Sequence, residues 1–209
     1  MSAPDSSNVT AHAVDEEDIE YPALVAARRK ALIAELSRIS FPDATFVWEL
    51  GSGHGHYLNA YAEAHPAKVC IGIDLIADRV ARANRKRDRA NLTQLHFLHS
   101  DARLFLEALP VGVTISDVFI LFPDPWPKNR HHKHRILQPE FLSRLRPKLK
   151  PDAKLYFRTD HEPYFLRAQE TIRMDRAWQL SDSPWPFEHE TVFQQRAISY
   201  RSLCAEPVA

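Results

Sequence analysis

Short apolar runs alternate with segments of helical periodicity along most of this chain. Runs rich in β-branched and aromatic residues predict five strands, at residues 45–50, 69–74, 95–99, 115–122 and 154–158. The segments between and after them predict helices, at residues 56–65, 78–90, 102–109, 139–149 and 164–174. This alternation predicts an α/β fold with a parallel, doubly wound sheet, and ligands at the carboxyl ends of its strands.

The two flanks of this region complete the predicted domain. Residues 22–39 predict an amphipathic helix whose apolar side holds Leu24, Val25, Leu32, Ile33 and Leu36. Two further predicted strands, at residues 178–180 and 197–204, have no long helix between them, which predicts an antiparallel hairpin at one edge of the sheet. No repeat or interior linker divides residues 21–209, so we expect one domain after a polar, acidic and disordered tail over residues 1–20.

The charge balance excludes a global electrostatic attraction to nucleic acid or membranes. The chain has 27 basic and 27 acidic side chains, but bases are concentrated in residues 79–89 and 128–150. The two cysteines, Cys70 and Cys204, form no disulfide framework, and Cys70 lies in a predicted core strand. With no apolar stretch of transmembrane length and no signal-like start, the sequence predicts a cytoplasmic protein.

Acidic side chains stand at the ends of three predicted strands, beside a glycine turn. Glu49 precedes Gly51 and Gly53, Asp74 ends the second strand, and Asp101 follows the third. The spacing Gly-x-Gly-x-Gly lacks the third glycine of dinucleotide-binding turns, because His56 occupies that place. A nucleotide-like cofactor or a simple strand–helix turn would each explain the glycines, and any one acid could be a helix cap.

The acids favour one kind of cofactor. Ionised carboxylates only accept hydrogen bonds, so a ribose diol, an ammonium group and an adenine amine suit them, whereas a pyrophosphate does not. We therefore predict S-adenosylmethionine in preference to NAD.

The junction after the fourth strand carries the most specific pattern. Residues 122–128 read Phe-Pro-Asp-Pro-Trp-Pro-Lys, so Asp124 lies between two prolines that stiffen the backbone, beside Trp126. A basic arm, residues 130–135, follows directly. A rigid acid, an aromatic plane and nearby cations predict a pocket for a nucleobase of a polynucleotide. Asp124 as a turn cap, Trp126 as a core anchor and Lys128 as a solvated side chain remain alternatives.

The basic arm also contains three histidines, which raises the question of a metal. They are His131, His132 and His134, and they stand among arginine and lysine residues with no cysteine near them. Repulsion from those cations makes the arm a poor metal site, so we predict no bound metal.

Four stretches of the chain resemble the bacterial-type tRNA (guanine-N7-)-methyltransferase family. They are residues 49–55, residues 122–128 with 130–135, Thr159 and Asp160 with Tyr164, and residues 191–196, which read Thr-Val-Phe-Gln-Gln-Arg. The resemblance spans roughly residues 45–200, and the Phe-Pro-Asp-Pro-Trp block is its most specific part.

The resemblance implies a seven-stranded Rossmann-like fold and methyl transfer from S-adenosylmethionine to N7 of a guanine in the tRNA variable loop, at tRNA position 46. It implies Asp124 as the catalytic residue. The implied cofactor-binding residues are Glu49, Gly51, Gly53, Asp74, Asp101 and Asp124. The implied substrate-binding residues are Lys128, Asp160, Thr191, Phe193 and Gln194. The residues expected to contact tRNA phosphates are Arg130, His131, His132, Lys133, His134 and Arg135.

Three departures from the family pattern leave details open. Asp74 stands where the family commonly has Glu, Gln194 stands where it usually has Glu, and residues 151–153 replace a usual Pro-Gly-Gly. The alternatives are a methyltransferase of the same fold acting on another RNA or a small heteroaromatic, a non-catalytic RNA-binding subunit, and, more remotely, a nicotinamide oxidoreductase. The oligomeric state stays open between monomer and homodimer.

Overall fold

A computed structural model describes the backbone over residues 16–190, 194–195 and 197–208, and side chains from residue 21 onward. The six helices are α1 (Glu16–Leu36), α2 (His56–Ala64), α3 (Ala77–Arg89), α4 (Ala102–Ala108), α5 (Pro139–Leu145) and α6 (Glu162–Met174). The seven strands are β1 (Thr45–Leu50), β2 (Cys70–Asp74), β3 (Leu95–His99), β4 (Thr114–Leu121), β5 (Leu149–Thr159), β6 (Trp178–Ser181) and β7 (Arg201–Pro207).

The strands form one sheet in the order β3-β2-β1-β4-β5-β7-β6. The first five are parallel, and β7 pairs antiparallel with both β5 and β6. The predicted fold class, including the antiparallel edge, is confirmed. The chain order reverses between β1 and β4, which is where ligands bind in open sheets of this kind.

The core lies on both faces of the sheet, because successive side chains of a strand point to opposite sides. In β1, Phe46 and Trp48 enter the larger apolar cluster, whereas Val47 enters the other one with Tyr61 and Phe119. Trp48 stacks on Phe105 of α4 with the ring centroids 5.0 Å apart. This two-sided burial fixes the strands whose ends carry the predicted acids.

Helix α1 differs from the prediction in its start and in its buried face. Its described part runs from Glu16, earlier than the predicted start at residue 22. Of the predicted apolar side, Leu32 and Leu36 are buried, while Leu24 and Ile33 are 48% and 42% exposed. Within residues 21–36, the buried positions of the helix therefore lie in its last turns. Within the described residues, no helix combines the length and apolar character needed to cross a bilayer.

Three element boundaries in the second half also differ. Helix α5 ends at Leu145 and tightens into a 3₁₀ turn over Arg146–Lys148, because Pro147 cannot donate to the helical ladder. Strand β5 begins at Leu149, earlier than residue 154, and its pairing with β4 is irregular near its start. The last strand begins at Arg201 instead of residue 197.

Candidate active site

The predicted acids converge on one edge of the sheet. Glu49 in β1 is in register with Gly72 in β2, and Leu121 at the end of β4 is in register with Arg158 in β5. Because these strands are parallel and adjacent, residues just beyond their carboxyl ends share one rim. That rim carries Glu49, Asp74, Asp101, Asp124 and Asp160.

The glycine turn after β1 bends through left-handed backbone conformations. Gly51 has φ +74° and Gly53 has φ +53°, a region that side chains with a Cβ rarely adopt. The amides of Gly51 and Ser52 both donate to the Ile73 carbonyl at 2.9 Å, which ties the turn to β2. A Cβ built on Gly51 or Gly53 meets no atom within 4 Å, so the turn borders open space that a ligand can occupy.

Asp74 holds the far side of the same turn. Its carboxylate accepts hydrogen bonds from the amides of Gly53, at 2.9 Å, and Ile76, at 2.8 Å. Arg79 Nη1 lies 3.9 Å from Asp74 Oδ2. Each carboxylate oxygen has a second lone pair, so Asp74 can still accept from a ligand hydroxyl.

Glu49 is a buried acid that lacks a full set of partners. It is 4% exposed, and Oε2 has no hydrogen-bond partner among the described residues. Burial raises the pKa of Glu49 to about 8, and the negative charge of Asp74 adds to the rise, while a backbone hydrogen bond from Leu58 opposes it. A cationic ligand group beside Oε2 would supply the missing partner and favour the ionised acid.

Asp101 caps a helix, which was the alternative left open for it. Its Oδ1 accepts from the amide of Leu104 at 2.8 Å, at the start of α4. The residue is exposed, so the cap does not occupy the whole carboxylate. Contact with an adenine edge stays a prediction.

These features fit S-adenosylmethionine. The open glycine turn can approach an amino acid head without a Cβ in the way, and Glu49 Oε2 can accept from its ammonium group. Asp74 stands at the end of β2, where a ribose diol is held in folds of this type. The fit rests on Glu49 Oε2, which has no partner among the described residues, and on the open space beside Gly51 and Gly53.

The segment after β4, residues 122–128, is named here the Asp124 loop. Two bulky residues in it adopt left-handed conformations, Phe122 with φ +49° and Trp126 with φ +45°. Such conformations are strained for residues other than glycine, and strain of this kind persists where the surroundings impose it. Asp124 lies between them and is exposed at the rim.

Residues Asn129–His134 form a 3₁₀ helix that packs against the Asp124 loop and contains the basic arm except Arg135. The rings of His131 and His134 lie 5.8 and 5.1 Å from that of Trp126, so Trp126 is partly buried against the arm. Lys128, Arg130 and Lys133 are exposed and can reach a polyanion. Their contacts with RNA stay predictions.

Arg135 corrects the prediction that the whole arm faces RNA. It is 3% exposed, because its guanidinium lies beneath the Asp124 loop and over the ring of Tyr164, 4.8 Å from the centroid. Its Nε donates to the Pro125 carbonyl at 2.7 Å. A buried guanidinium cannot contact a phosphate from this position.

On the other side of the rim, Arg158 organises the segment that precedes β7. This arginine is 4% exposed. Its Nη1 donates to Glu188 at 3.0 Å and to Gln194 Oε1 at 3.2 Å, its Nη2 donates to Glu188 at 2.9 Å, and its Nε donates to Ser202 at 2.9 Å. The amide oxygen of Gln194 is thus engaged by Arg158. Thr191 and Phe193 lie outside the described residues.

Two aromatic rings enclose the same guanidinium. It lies 3.9 Å from the ring centroid of Trp185 and 4.7 Å from that of Tyr200. Gln194 Nε2 donates to the Tyr200 hydroxyl at 3.0 Å, and the Arg158 carbonyl accepts from the Phe122 amide at 2.8 Å. Sequence reasoning missed this cluster, although an arginine inside the apolar run of β5 was a usable signal.

Asp160, the other acid predicted to bind the substrate, is exposed just beyond β5. In the described part of the chain, no group of three or more His, Cys, Asp or Glu residues is arranged to hold a metal ion.

Two cavities lie away from the rim. One of about 310 Å³ lies at the amino ends of β1 and β4, and one of about 520 Å³ lies between α1, α3 and β3.

The fold matches that of solved methyltransferases. TrmN from Thermus thermophilus superposes with a TM-score of 0.57 at 18% identity, covering 86% of this chain and 48% of that one. The 16S rRNA (adenine(1408)-N(1))-methyltransferase of Catenulisporales acidiphilia superposes with a TM-score of 0.55 at 20% identity, covering 90% and 92%. The fold is therefore that of the Rossmann-like methyltransferases.

Sequence comparisons identify the family within that class. A family model described as "Putative methyltransferase" matches residues 43–201. Proteins named tRNA (guanine-N(7)-)-methyltransferase are similar to this chain: the one from Nitrosomonas europaea is 35% identical over 141 residues, and the one from Hyphomonas neptunium is 35% identical over 158 residues. The chain belongs to the tRNA (guanine-N(7)-)-methyltransferase family, which confirms the resemblance.

The matched regions do not cover these relatives completely. The alignment covers 68% of this chain and 63% of the Nitrosomonas protein, and 72% of both this chain and the Hyphomonas protein.

Proposed function

We propose that this chain transfers a methyl group from S-adenosylmethionine to N7 of a guanine in the variable loop of tRNA. One observation carries the proposal: an open glycine turn, the unpartnered Glu49 and the strained Asp124 loop share one rim of the sheet. The relatives' name supplies the substrate class. Because tRNA is the proposed substrate, a cytoplasmic location is part of the same proposal.

The proposed cofactor side lies at β1, β2 and β3. Glu49 would accept from the ammonium group, Gly51 and Gly53 would leave room for the amino acid head, Asp74 would accept from the ribose hydroxyls and Asp101 would accept from the adenine amine. S-adenosylmethionine, when bound there, supplies an electrophilic methyl group on a sulfonium cation.

The proposed substrate side lies at β4 and β5. N7 of guanine carries an in-plane lone pair and no proton, so it can attack the methyl carbon without a general base. The N7–C bond forms as the S–C bond breaks, and the positive charge passes to the purine. Asp124 and Asp160 would accept from the guanine N1–H and N2 amino group, which aligns N7 with the methyl carbon and stabilises the cationic ring.

This mechanism predicts how the rate depends on pH. Because neither Asp124 nor Asp160 removes a proton, the rate at saturating cofactor and tRNA should be flat from about pH 7 to about pH 9. A single-turnover pH profile with radiolabelled S-adenosylmethionine measures this. A rate that follows one ionisation in that range would contradict the assigned roles.

The decisive experiment follows methyl transfer from labelled S-adenosylmethionine to an unmodified tRNA transcript. The wild type should label a variable-loop guanine, mapped by cleavage chemistry specific for 7-methylguanine. Asp124→Ala should lose about 10²-fold or more in rate, because alignment and charge stabilisation are both removed. A transcript with 7-deazaguanine at that position should accept no methyl group.

A matched control separates site effects from general ones. Asp152→Ala removes an exposed acid at the opposite end of β5, which pairs with Lys150 at the surface, and should retain wild-type activity. A wild type that binds S-adenosylmethionine but labels no tRNA would reject the proposed substrate and favour another RNA, a small heteroaromatic or a binding role.

A further inference from the structure

Arg135 is a buried cation directly beneath the Asp124 loop. Among the described residues it forms no salt bridge, and its Nη2 has no hydrogen-bond partner. Its defined contacts are the Pro125 carbonyl and the face of the Tyr164 ring. Burying a guanidinium with so little compensation is unfavourable for folding, and an apolar residue of similar volume would often serve stability as well or better.

The contact that Arg135 does make is with the loop that carries the proposed catalytic acid. Its Nε lies 2.7 Å from the carbonyl oxygen of Pro125, the residue after Asp124. A charged donor at this distance makes a strong hydrogen bond in a site with little water. It therefore restrains the peptide that links Pro125 to Trp126, and with it the backbone next to Asp124.

The loop needs such a restraint because a residue on each side of Asp124 is strained. Phe122 and Trp126 each adopt a left-handed conformation that an unrestrained chain would leave. The Phe122 end is held by its amide, which donates to the Arg158 carbonyl at 2.8 Å. Towards the Trp126 end, the hydrogen bond from Arg135 to Pro125 is the corresponding restraint.

The packing around Arg135 fixes the guanidinium in turn. Tyr164 is fully buried and its hydroxyl accepts from the Leu137 amide at 3.2 Å, so the ring beneath the guanidinium is immobilised. The Arg135 amide donates to the His132 carbonyl at 3.1 Å, which ends the 3₁₀ helix. The arginine thus connects α6, the basic arm and the Asp124 loop.

We propose that Arg135 is a positioning residue that holds the Asp124 loop in its strained, catalytically competent conformation, at the expense of fold stability. This inference rests on the proposed function for its kinetic readout. It assigns to Arg135 a role distinct from the exposed cations of the arm, because the side chain acts through the loop and does not touch substrate.

The test compares activity with stability in Arg135→Met. Methyl transfer to the tRNA transcript should fall about 10–100-fold in kcat, because a displacement of about 1 Å at a catalytic group has such an effect. The midpoint of thermal unfolding should stay the same or rise, and the Kd of S-adenosylmethionine should be unchanged. Arg135→Lys, which keeps one charged donor, should recover part of the lost kcat.

Other results would overturn the proposal. A lowered melting temperature accompanied by equal losses in cofactor binding and turnover would make Arg135 an ordinary structural residue. Unchanged kcat in Arg135→Met would show that the loop needs no restraint from this side. A rise in KM for tRNA alone, with kcat unchanged, would show instead that Arg135 contacts tRNA phosphates.

A second readout does not depend on the substrate. Hydrogen–deuterium exchange of the Phe122 amide, which the Arg158 carbonyl protects, should become about tenfold faster in Arg135→Met, while exchange in β1 and β2 stays unchanged. If the wild type fails to methylate tRNA, the proposed function fails, and this exchange measurement still decides the positioning role. Equal exchange in both proteins would reject it.

Discussion

Two buried arginines flank the rim, and their surroundings differ sharply. Arg158 is satisfied on every side, with Glu188, Gln194 and Ser202 as hydrogen-bond acceptors and two aromatic rings over its faces. Among the described residues, Arg135 has one carbonyl acceptor, one ring and a buried nitrogen without a hydrogen-bond partner. A satisfied buried charge rigidifies a structure, whereas an unsatisfied one is unfavourable unless it has another use. The contrast indicates that Arg158 stabilises the fold and that Arg135 holds the Asp124 loop in position.

The largest expected effect is the loss of stability in Arg158→Met. The substitution removes four hydrogen bonds and two cation–π contacts. The free energy of unfolding should therefore fall by about 2–3 kcal/mol, which lowers the melting temperature by roughly 5–10 °C. Calorimetry on Arg158→Met and Arg135→Met checks the comparison directly. Similar melting temperatures for the two variants would contradict the proposed difference between Arg158 and Arg135.

Arg201→Met is a suitable control for this prediction. Arg201 also lies over a ring, 4.4 Å from the centroid of Phe165, and pairs with Glu162 at 2.9 Å, but its side chain is 53% exposed. Its replacement should change stability by less than about 1 kcal/mol. A loss as large as that of Arg158→Met would show that burial does not explain the difference.

Glu49 extends the comparison to an acid that, like Arg135, has an unsatisfied atom. Because the pKa of Glu49 is raised to about 8, the free protein holds it protonated at neutral pH. Binding of an ammonium group requires the ionised form, so the bound state carries one proton fewer and higher pH favours binding. The affinity for S-adenosylmethionine should rise about tenfold from pH 6 to pH 7, measured by calorimetric titration.

The matched variant for this effect is Glu49→Gln, which keeps the shape and removes the ionisation. Its affinity should be weaker and nearly independent of pH over the same interval. If the wild-type affinity is also flat, then Glu49 is not the ammonium partner.

The smallest expected effect concerns the acid that pairs with Arg158. Glu188 is 60% exposed, so Glu188→Gln should lower stability by only about 0.5–1 kcal/mol. The neutral amide keeps one acceptor for Arg158, and the rings remain in place. A loss equal to that of Arg158→Met would mean that the ion pair, and not the enclosed guanidinium, holds the segment.

Much of the sheet was predictable because its signals are local. The runs that became β1 and β3 were predicted with their observed bounds, since each is bounded by turn residues and buried on both faces. The start of β5 was missed because Pro151 and Asp152 disfavour a regular strand and lie where its pairing with β4 is irregular. Only the pairing of Leu149 with Ile115 reveals the earlier start.

The rim was predictable where a strand end and an acid coincide, as for Glu49 and Asp74. The direction of individual side chains could not be predicted. A basic run does not reveal that Arg135 turns inward while Lys133 faces outward. The inward direction of Arg135 depends on the packing of Tyr164 beneath the Asp124 loop. Tertiary packing decides such cases, and the sequence carries no periodic signal for it.

The position of β7 between β5 and β6 has a consequence for the order of folding. Strand β6 precedes β7 in the chain but pairs only with it, so β6 has no place in the sheet until β7 has docked on β5. Four of the side chains that contact Arg158 lie in the connection between these two strands, and Ser202 lies in β7 itself. We therefore expect the cofactor half, built from contacts between neighbouring βα units, to form early and the half that would receive the base to be completed last.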